Sequence, residues 1–184
     1  MLLEIKRSSS AHIFYSHAPY SRLYNDNPPK FEREHYDAAI YEHAVPGTVI
    51  VTLEIKDADF EPSKNDFYII KGNQLGQFQV RENGEIFVNK LLDRETISSN
   101  LLEVLVTDGL FVSKTKVAID VLDTNDNPPV CLKAKYIEKY QRQYLHIHIF
   151  LTIEATDADD GKNALQLFTL KGTGANDFVV DSAT

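Results

Sequence analysis

Asp123-Thr124-Asn125-Asp126-Asn127-Pro128-Pro129 organises the chain, because its core has already occurred once: Asn25-Asp26-Asn27-Pro28-Pro29 stands 100 residues earlier. The same offset relates Asp57-Ala58-Asp59 to Asp157-Ala158-Asp159, Lys71-Gly72 to Lys171-Gly172, and Phe78 and Val80 to Phe178 and Val180. Agreement at one register across separate elements marks an internal repeat. A period of this length is too long for a solenoid unit. It matches a tandem array of small domains, each with its own core.

Within the first copy apolar residues alternate with polar ones instead of following a helical period. Val49, Val51, Leu53 and Ile55 share one face of an expected strand. Val117, Ile119 and Val121 do the same near the end of the copy, with Lys116 and Asp120 on the opposite face, and Leu101 to Thr107 forms another strand. Turn signals at Pro46-Gly47, Lys71-Gly72, Asn83-Gly84 and Asp108-Gly109 divide the copy into about seven short strands. The predicted class is all-β: tandem immunoglobulin-like Greek-key β-sandwiches, the second truncated. The boundaries that follow are a flexible lead-in at 1–24, a complete repeat with its linker at 25–127, and the N-terminal part of a second repeat at 128–184. Held open, that second copy is expected to be marginal or disordered alone.

Composition narrows the function. The 184 residues carry 19 basic against 27 acidic side chains, a net charge of −8, which argues against a sequence-independent grip on nucleic acid or an anionic membrane. The one cysteine, Cys131, rules out an intrachain disulfide framework and reads as a buried or half-buried small apolar residue. The most apolar run, Leu145 to Ile153, is far short of the roughly 20 residues that span a bilayer and reads as a buried strand. Glu4, Lys6 and Arg7 stand where the apolar part of a secretory signal would lie.

The linker packs side-chain oxygens into five residues ahead of two stiffening prolines, which suits a hard cation. Calcium takes six to eight oxygens from carboxylates, carbonyls and amides. The plainer alternative is a solvated turn-forming loop, since Asp, Asn and Pro are ordinary turn residues.

Taken together, the linker, the two Asp-Ala-Asp elements, Leu92-Asp93-Arg94-Glu95 and Val106-Thr107-Asp108 resemble the calcium motifs of extracellular cadherin repeats, over residues 25 to 184. The Lys-Gly and Pro-Pro-Val-Cys wording is similar to that of Fat-like cadherins. The resemblance implies three calcium ions at each junction between repeats. Around residue 125 the first ion would take Glu42, Asp93, Glu95 and Asp126. The second would share Glu42, Glu95 and Asp126 and add Asp123 and the Thr124 carbonyl. The third would take Asn125, Asp157, Asp159 and the carbonyls of Asn127 and Asn163, with the counterpart of Asp108 lying beyond Thr184. Upstream, Asn25, Asp57, Asp59 and Asp108 with the carbonyls of Asn27 and Asn65 would form a site of the third type, while Leu23 stands where an aspartate is expected. In the second copy Arg142 stands at the register of Glu42, and His146-Ile147-His148 replaces the Pro46-Gly47-Thr48 turn.

Charge arithmetic supports cations independently. Glu42, Asp93, Glu95, Asp123, Asp126, Asp157 and Asp159 bring seven negative charges to one junction, against six positive from three calcium ions. Without metal, carboxylates held close together repel. Metal is then expected to stiffen the junction, and its removal to leave a hinge.

The resemblance implies a calcium-dependent cell–cell adhesion module of a membrane-anchored parent, on the extracellular side of the plasma membrane. Its partner would be another cadherin, homophilic or heterophilic. The alternative is a calcium-independent immunoglobulin-like protein-binding module. An enzyme using Glu42, Asp93 and Glu95 as paired carboxylates would need them around one water-holding cleft in a single domain, and the reading is against it. An EF-hand from Asp157 fails, with Lys162 where glycine is required and Phe168 where glutamate is required. His146 and His148 read as surface histidines on the outer face of their strand.

Overall fold

In the computed structural model, which describes residues 25–59, 64–139, 149 and 151–181, the longest strands carry the clearest alternation. In β8 (Ser99–Thr107) Leu102, Val104 and Val106 are buried, and in β9 (Val112–Leu122) Thr115, Val117, Ile119 and Val121 are buried, while the residues between face outward. The two pair antiparallel from Ser99↔Asp120 to Thr107↔Val112. Their connection turns at Asp108-Gly109, where Asp108 Oδ1 accepts the N–H groups of Leu110 (2.8 Å) and Phe111 (2.7 Å) and Gly109 takes φ +92°.

A four-stranded sheet grows from this hairpin in the order β2-β9-β8-β5. β2 (His35–Tyr41) joins β9 in parallel, from His35↔Lys116 to Tyr41↔Leu122, and β5 (Asp66–Lys71) joins β8 antiparallel. Facing it is a three-stranded sheet in the order β3-β7-β6, formed by β3 (Val49–Thr52), β6 (Phe78–Val80) and β7 (Glu85–Val88). One apolar cluster fills the space between: Phe78, Ile86 and Val88 meet Leu102, Val104 and Ile119, each no more than 1% exposed. Full burial of each such side chain contributes about 1.5–3 kcal/mol.

Asn83-Gly84 makes the β6–β7 hairpin as expected. Arg81 N–H donates to the Glu85 carbonyl (2.9 Å), and Gly84 takes φ +82° with its carbonyl accepting the Leu53 N–H (2.9 Å). A Cβ at position 84 would collide with the Leu53 carbonyl.

The run from Val49 to Ile55 is not the single strand its alternation suggests. A bulge between Val49 and Val51 breaks the register on β7, and beyond Leu53 the chain changes partner, so that β4 (Ile55–Lys56) pairs with β1 (Lys30–Phe31). Leu53 is buried at this switch, whereas Val49 is 41% exposed.

The sequence repeat is visible in the geometry. β10 (Val130–Cys131) pairs with β11 (Ala155–Thr156) through Val130↔Thr156, the counterpart of Lys30↔Lys56 in β1 and β4. Beyond it lies a short 3-10 turn, Ala175–Asp177. Phe178 is 39% exposed where its counterpart Phe78 is 1% exposed. Among the described residues no third strand joins β10 and β11. Cys131 is therefore exposed, contrary to the buried position expected of it. The expected strand from Leu145 to Ile153 falls partly outside the described residues, as do His146, His148, Arg142 and the lead-in 1–24. Of its described part, 151–153 form no strand, and Ile149 is 75% exposed.

Candidate metal centre at the junction

Glu42 immediately follows β2, and its backbone N–H donates to the Leu122 carbonyl (3.1 Å), so the parallel pairing with β9 delivers it beside the linker. The residue is 1% exposed. Its Oε1 accepts the Thr124 N–H (2.7 Å) and its Oε2 the Arg94 N–H (2.9 Å). One buried carboxylate thus ties together the end of β2, the linker and the turn between β7 and β8. That turn is shaped by Asp93, which accepts the Thr96 N–H (3.0 Å) and hydroxyl (2.9 Å). It presents Asp93 and Glu95 so that oxygens of Glu42, Asp93 and Glu95 lie within 4.8 Å of one another.

A second group spans both copies: oxygens of Glu95, Asp123 and Asp159 also lie within 4.8 Å of one another. Asp123 Oδ2 accepts the Asp160 N–H (3.0 Å) and the Asn163 side-chain amide (2.8 Å). Asp159 Oδ1 accepts the backbone N–H (3.2 Å) and side-chain amide (2.8 Å) of Asn127. Asp157 Oδ1 accepts the Asp159 N–H (3.1 Å), and the Asn125 amide donates to the Asn163 carbonyl (3.4 Å). Asp126 is a member of neither group, with His43 Nε2 at 2.9 Å from one oxygen and the Asn127 amide donating to the other at 2.7 Å.

The electrostatics follow from this crowding. Burial, and then the neighbouring charges of Glu42, Asp126 and Asp123, hold the Glu95 carboxyl above the usual carboxylate range. The Asp160 N–H is the main cause that lowers Asp123, against the opposing effect of burial. Two carboxylate oxygens are buried with no hydrogen-bond donor: Asp159 Oδ2, and Asp123 Oδ1, which has the Arg94 guanidinium at 3.6 Å, beyond hydrogen-bond reach. Buried charged oxygens without donors are costly, and a cation is a natural complement.

The upstream junction repeats part of the pattern. Oxygens of Asp57, Asp59 and Asp108 lie within 4.8 Å of one another. Asn27 donates its N–H (3.1 Å) and amide (2.7 Å) to Asp59, as Asn127 does to Asp159, and the amide is the main cause that lowers the Asp59 carboxyl. Burial raises Asp108, but the Phe111 and Leu110 N–H groups and the Asn25 amide outweigh it, leaving it lowered. Asn25 donates to the Asp108 carbonyl (3.4 Å). Here Asn25 Oδ1, Asn65 Oδ1 and Asp108 Oδ2 are all buried without a donor. Leu23, which stands where an aspartate is expected, lies outside the described residues.

Three participants carry no role in the sequence reading. Arg94 lies inside the Leu92-Asp93-Arg94-Glu95 element, Asp160 directly follows Asp157-Ala158-Asp159, and His43 follows Glu42. Their position beside assigned acids was the available signal. A cleft of 460 Å³ between Leu53, Phe67 and Asn83 is lined by no member of the three carboxylate groups. No helix among the described residues is long and apolar enough to cross a membrane.

A cadherin domain model matches residues 36–122. The chain is 39% identical over 157 residues to the Fat-like cadherin-related tumor suppressor homolog of Drosophila melanogaster, covering 85% of this chain and 3% of that protein. It is 39% identical over 165 residues to Protocadherin Fat 1 of Homo sapiens, covering 87% and 4% respectively. The chain therefore spans only a few per cent of the length of these curated relatives. Among solved structures, mouse Cadherin-23 EC22-24 superposes with a TM-score of 0.68 at 25% identity, over 76% of this chain and 47% of that one. The Protocadherin GammaB4 extracellular domain does so with 0.67 at 28% identity, over 77% and 23%.

Proposed function

The chain belongs to the cadherin superfamily and carries a Fat-like cadherin repeat, and from that premise we propose that it is a calcium-dependent cell–cell adhesion module. The repeat with its linker is assigned to 25–127 and the start of the next to 128–184. The observation that carries the reading is the group formed by Glu95 and Asp123 with Asp159, drawn from both copies, in which two buried oxygens have no donor. Carboxylates split across two copies are suited to joining them. A hydrolytic site would gather them around one cleft.

Bound calcium would supply the positive charge and the demand for several oxygens that this donor set meets. Glu42, Asp93 and Glu95 would hold one ion, and Glu95, Asp123 and Asp159 another. Asp126, Asp157, Asn125 and the carbonyls of Thr124, Asn127 and Asn163 complete the candidate set. Asp57, Asp59 and Asp108, with Asn25, Asn27 and Asn65, would serve the upstream junction. Extracellular calcium modules typically bind at roughly 10⁻⁴ to 10⁻³ M, so such a switch would respond to extracellular calcium. The stiffened array would present its sandwich faces to another cadherin, homophilic or heterophilic, from a membrane-anchored parent on the outer side of the plasma membrane.

The test is limited proteolysis of the chain in millimolar calcium and in chelator, following cleavage between Asp123 and Pro129. The expected result is protection by calcium that is lost in Asp159→Asn. Equal cleavage in both conditions would refute the metal site. Salt-sensitive, calcium-independent capture of a basic protein would then favour the immunoglobulin-like binding module.

A further inference from the structure

The Arg94 guanidinium sits among acids of both copies. One terminal nitrogen lies 2.6 Å from Asp160 Oδ2, and the other lies 3.6 Å from Asp123 Oδ1 and 3.7 Å from Glu95 Oε1. Its side chain is 19% exposed. The backbone of the same residue is fixed by Glu42, which accepts its N–H, so the guanidinium is launched from a held position and loses less freedom on pairing. Asp160 is anchored as well: its own N–H donates to Asp123 Oδ2, and its Oδ1 accepts the Gly161 N–H (2.9 Å). Only its Oδ2 is turned back across the junction.

We propose that Arg94 and Asp160 form a metal-independent tether, a protein-borne cation that holds the second copy to the first whether or not calcium is bound. The charge-assisted contact is short, and it joins two segments 66 residues apart in sequence. The register counterpart of Asp160 in the first copy is Phe60, which offers no carboxylate. With calcium removed, the junction is then not a free hinge. The guanidinium still screens Asp123 and Glu95 from each other and keeps Asp160 N–H on Asp123. The proposal rests on the calcium reading only for the ions it works beside, and its own evidence is read without metal.

Amide hydrogen exchange of residues 123–127 in chelator tests it, on the full chain, for wild type, Arg94→Gln, Asp160→Asn and the double variant. Asn at position 160 still accepts the Gly161 N–H but removes the charge that Arg94 meets. Exchange within β8 and β9 serves as the control for folding. The expected result is that each single variant exchanges about threefold faster than wild type in chelator, the size of a part-exposed ion pair. The double variant should be no faster than either single one, since both remove the same contact. Single variants matching wild type, or effects that add in the double variant, would overturn the tether. If the variants behave as expected while calcium gives wild type no further protection, the metal reading fails and the tether stands. If calcium protects but the variants match wild type in chelator, the tether alone is refuted.

Discussion

Glu42→Gln separates the two duties of the most buried carboxylate in the junction. Gln keeps the shape and one acceptor, so one of the N–H groups of Thr124 and Arg94 loses its oxygen. An unsatisfied buried donor costs about 1–3 kcal/mol. In chelator that loss is offset, because the substitution also removes repulsion from Asp93 and Glu95, whose oxygens lie within 4.8 Å. Each neighbour at that distance contributes about 1 kcal/mol at the dielectric of water and about twice that at half the dielectric. The two effects nearly cancel, and thermal unfolding in chelator should shift by no more than a few degrees. In calcium there is nothing to offset. An ion held at 100 times its dissociation constant stabilises by about 2.7 kcal/mol, which for a unit of this size raises Tm by about 10–20 °C. Glu42→Gln should lose most of that increment. The assay is circular dichroism melting of both proteins in both conditions, with the difference of differences as the readout. Equal destabilisation in chelator and in calcium would refute the reasoning, leaving Glu42 as a hydrogen-bonded clamp and no more.

Two further outcomes follow from the fold. Gly84→Ala should destabilise by about 2–4 kcal/mol, since it combines a left-handed backbone with a Cβ that meets the Leu53 carbonyl; urea unfolding at neutral pH checks it, and a loss under half a kcal/mol would contradict the geometry. The outward-facing Glu103 is lowered from its ordinary value of 4.5 by hydrogen bonds from Lys71 and then Lys114. A folded-state pKa below the unfolded one stabilises above the unfolded pKa, and that contribution disappears as pH falls through the folded value. Glu103→Gln should therefore flatten the decline of stability below about pH 4.5, measured by denaturant titration across the acid range, while identical slopes would rule the linkage out.

The parts of the fold that were legible are those where one face is buried and the other solvated. Val117, Ile119 and Val121 could be placed from alternation alone, and Asn83-Gly84 from the demand for positive φ. The bulge in β3 was not legible, because Val49 and Val51 look equivalent until their pairing partner on β7 is known. β2 escaped too, since Ala38 and Ala39 blur the period of two. At the candidate site, repetition in sequence exposed Asp57, Asp59 and Asp159, the resemblance to cadherin motifs supplied Glu42, Asp93, Glu95, Asp108 and Asp123, and the structure groups these eight: Glu42, Asp93 and Glu95; Glu95, Asp123 and Asp159; Asp57, Asp59 and Asp108. Glu95 belongs to two of these groups, a sharing that only the tertiary arrangement specifies. Arg94 carried no signal of its own, because its meaning depends on Asp160, which the turn after β11 brings to it.

The parallel pairing of β2 with β9 bears on how such a unit meets force. Seven register pairs, from His35↔Lys116 to Tyr41↔Leu122, run side by side in the same direction. The chain enters near the start of β2 and leaves at the end of β9. Tension applied through the neighbours of a tandem array therefore pulls these strands past one another along their length. The evenly spaced hydrogen bonds of a parallel pair are loaded together in shear, where a hairpin pulled from its open end would yield them one at a time. Glu42 and Thr124 sit where that load leaves the sandwich, so the same carboxylate that marks the candidate metal centre also closes the mechanical seam.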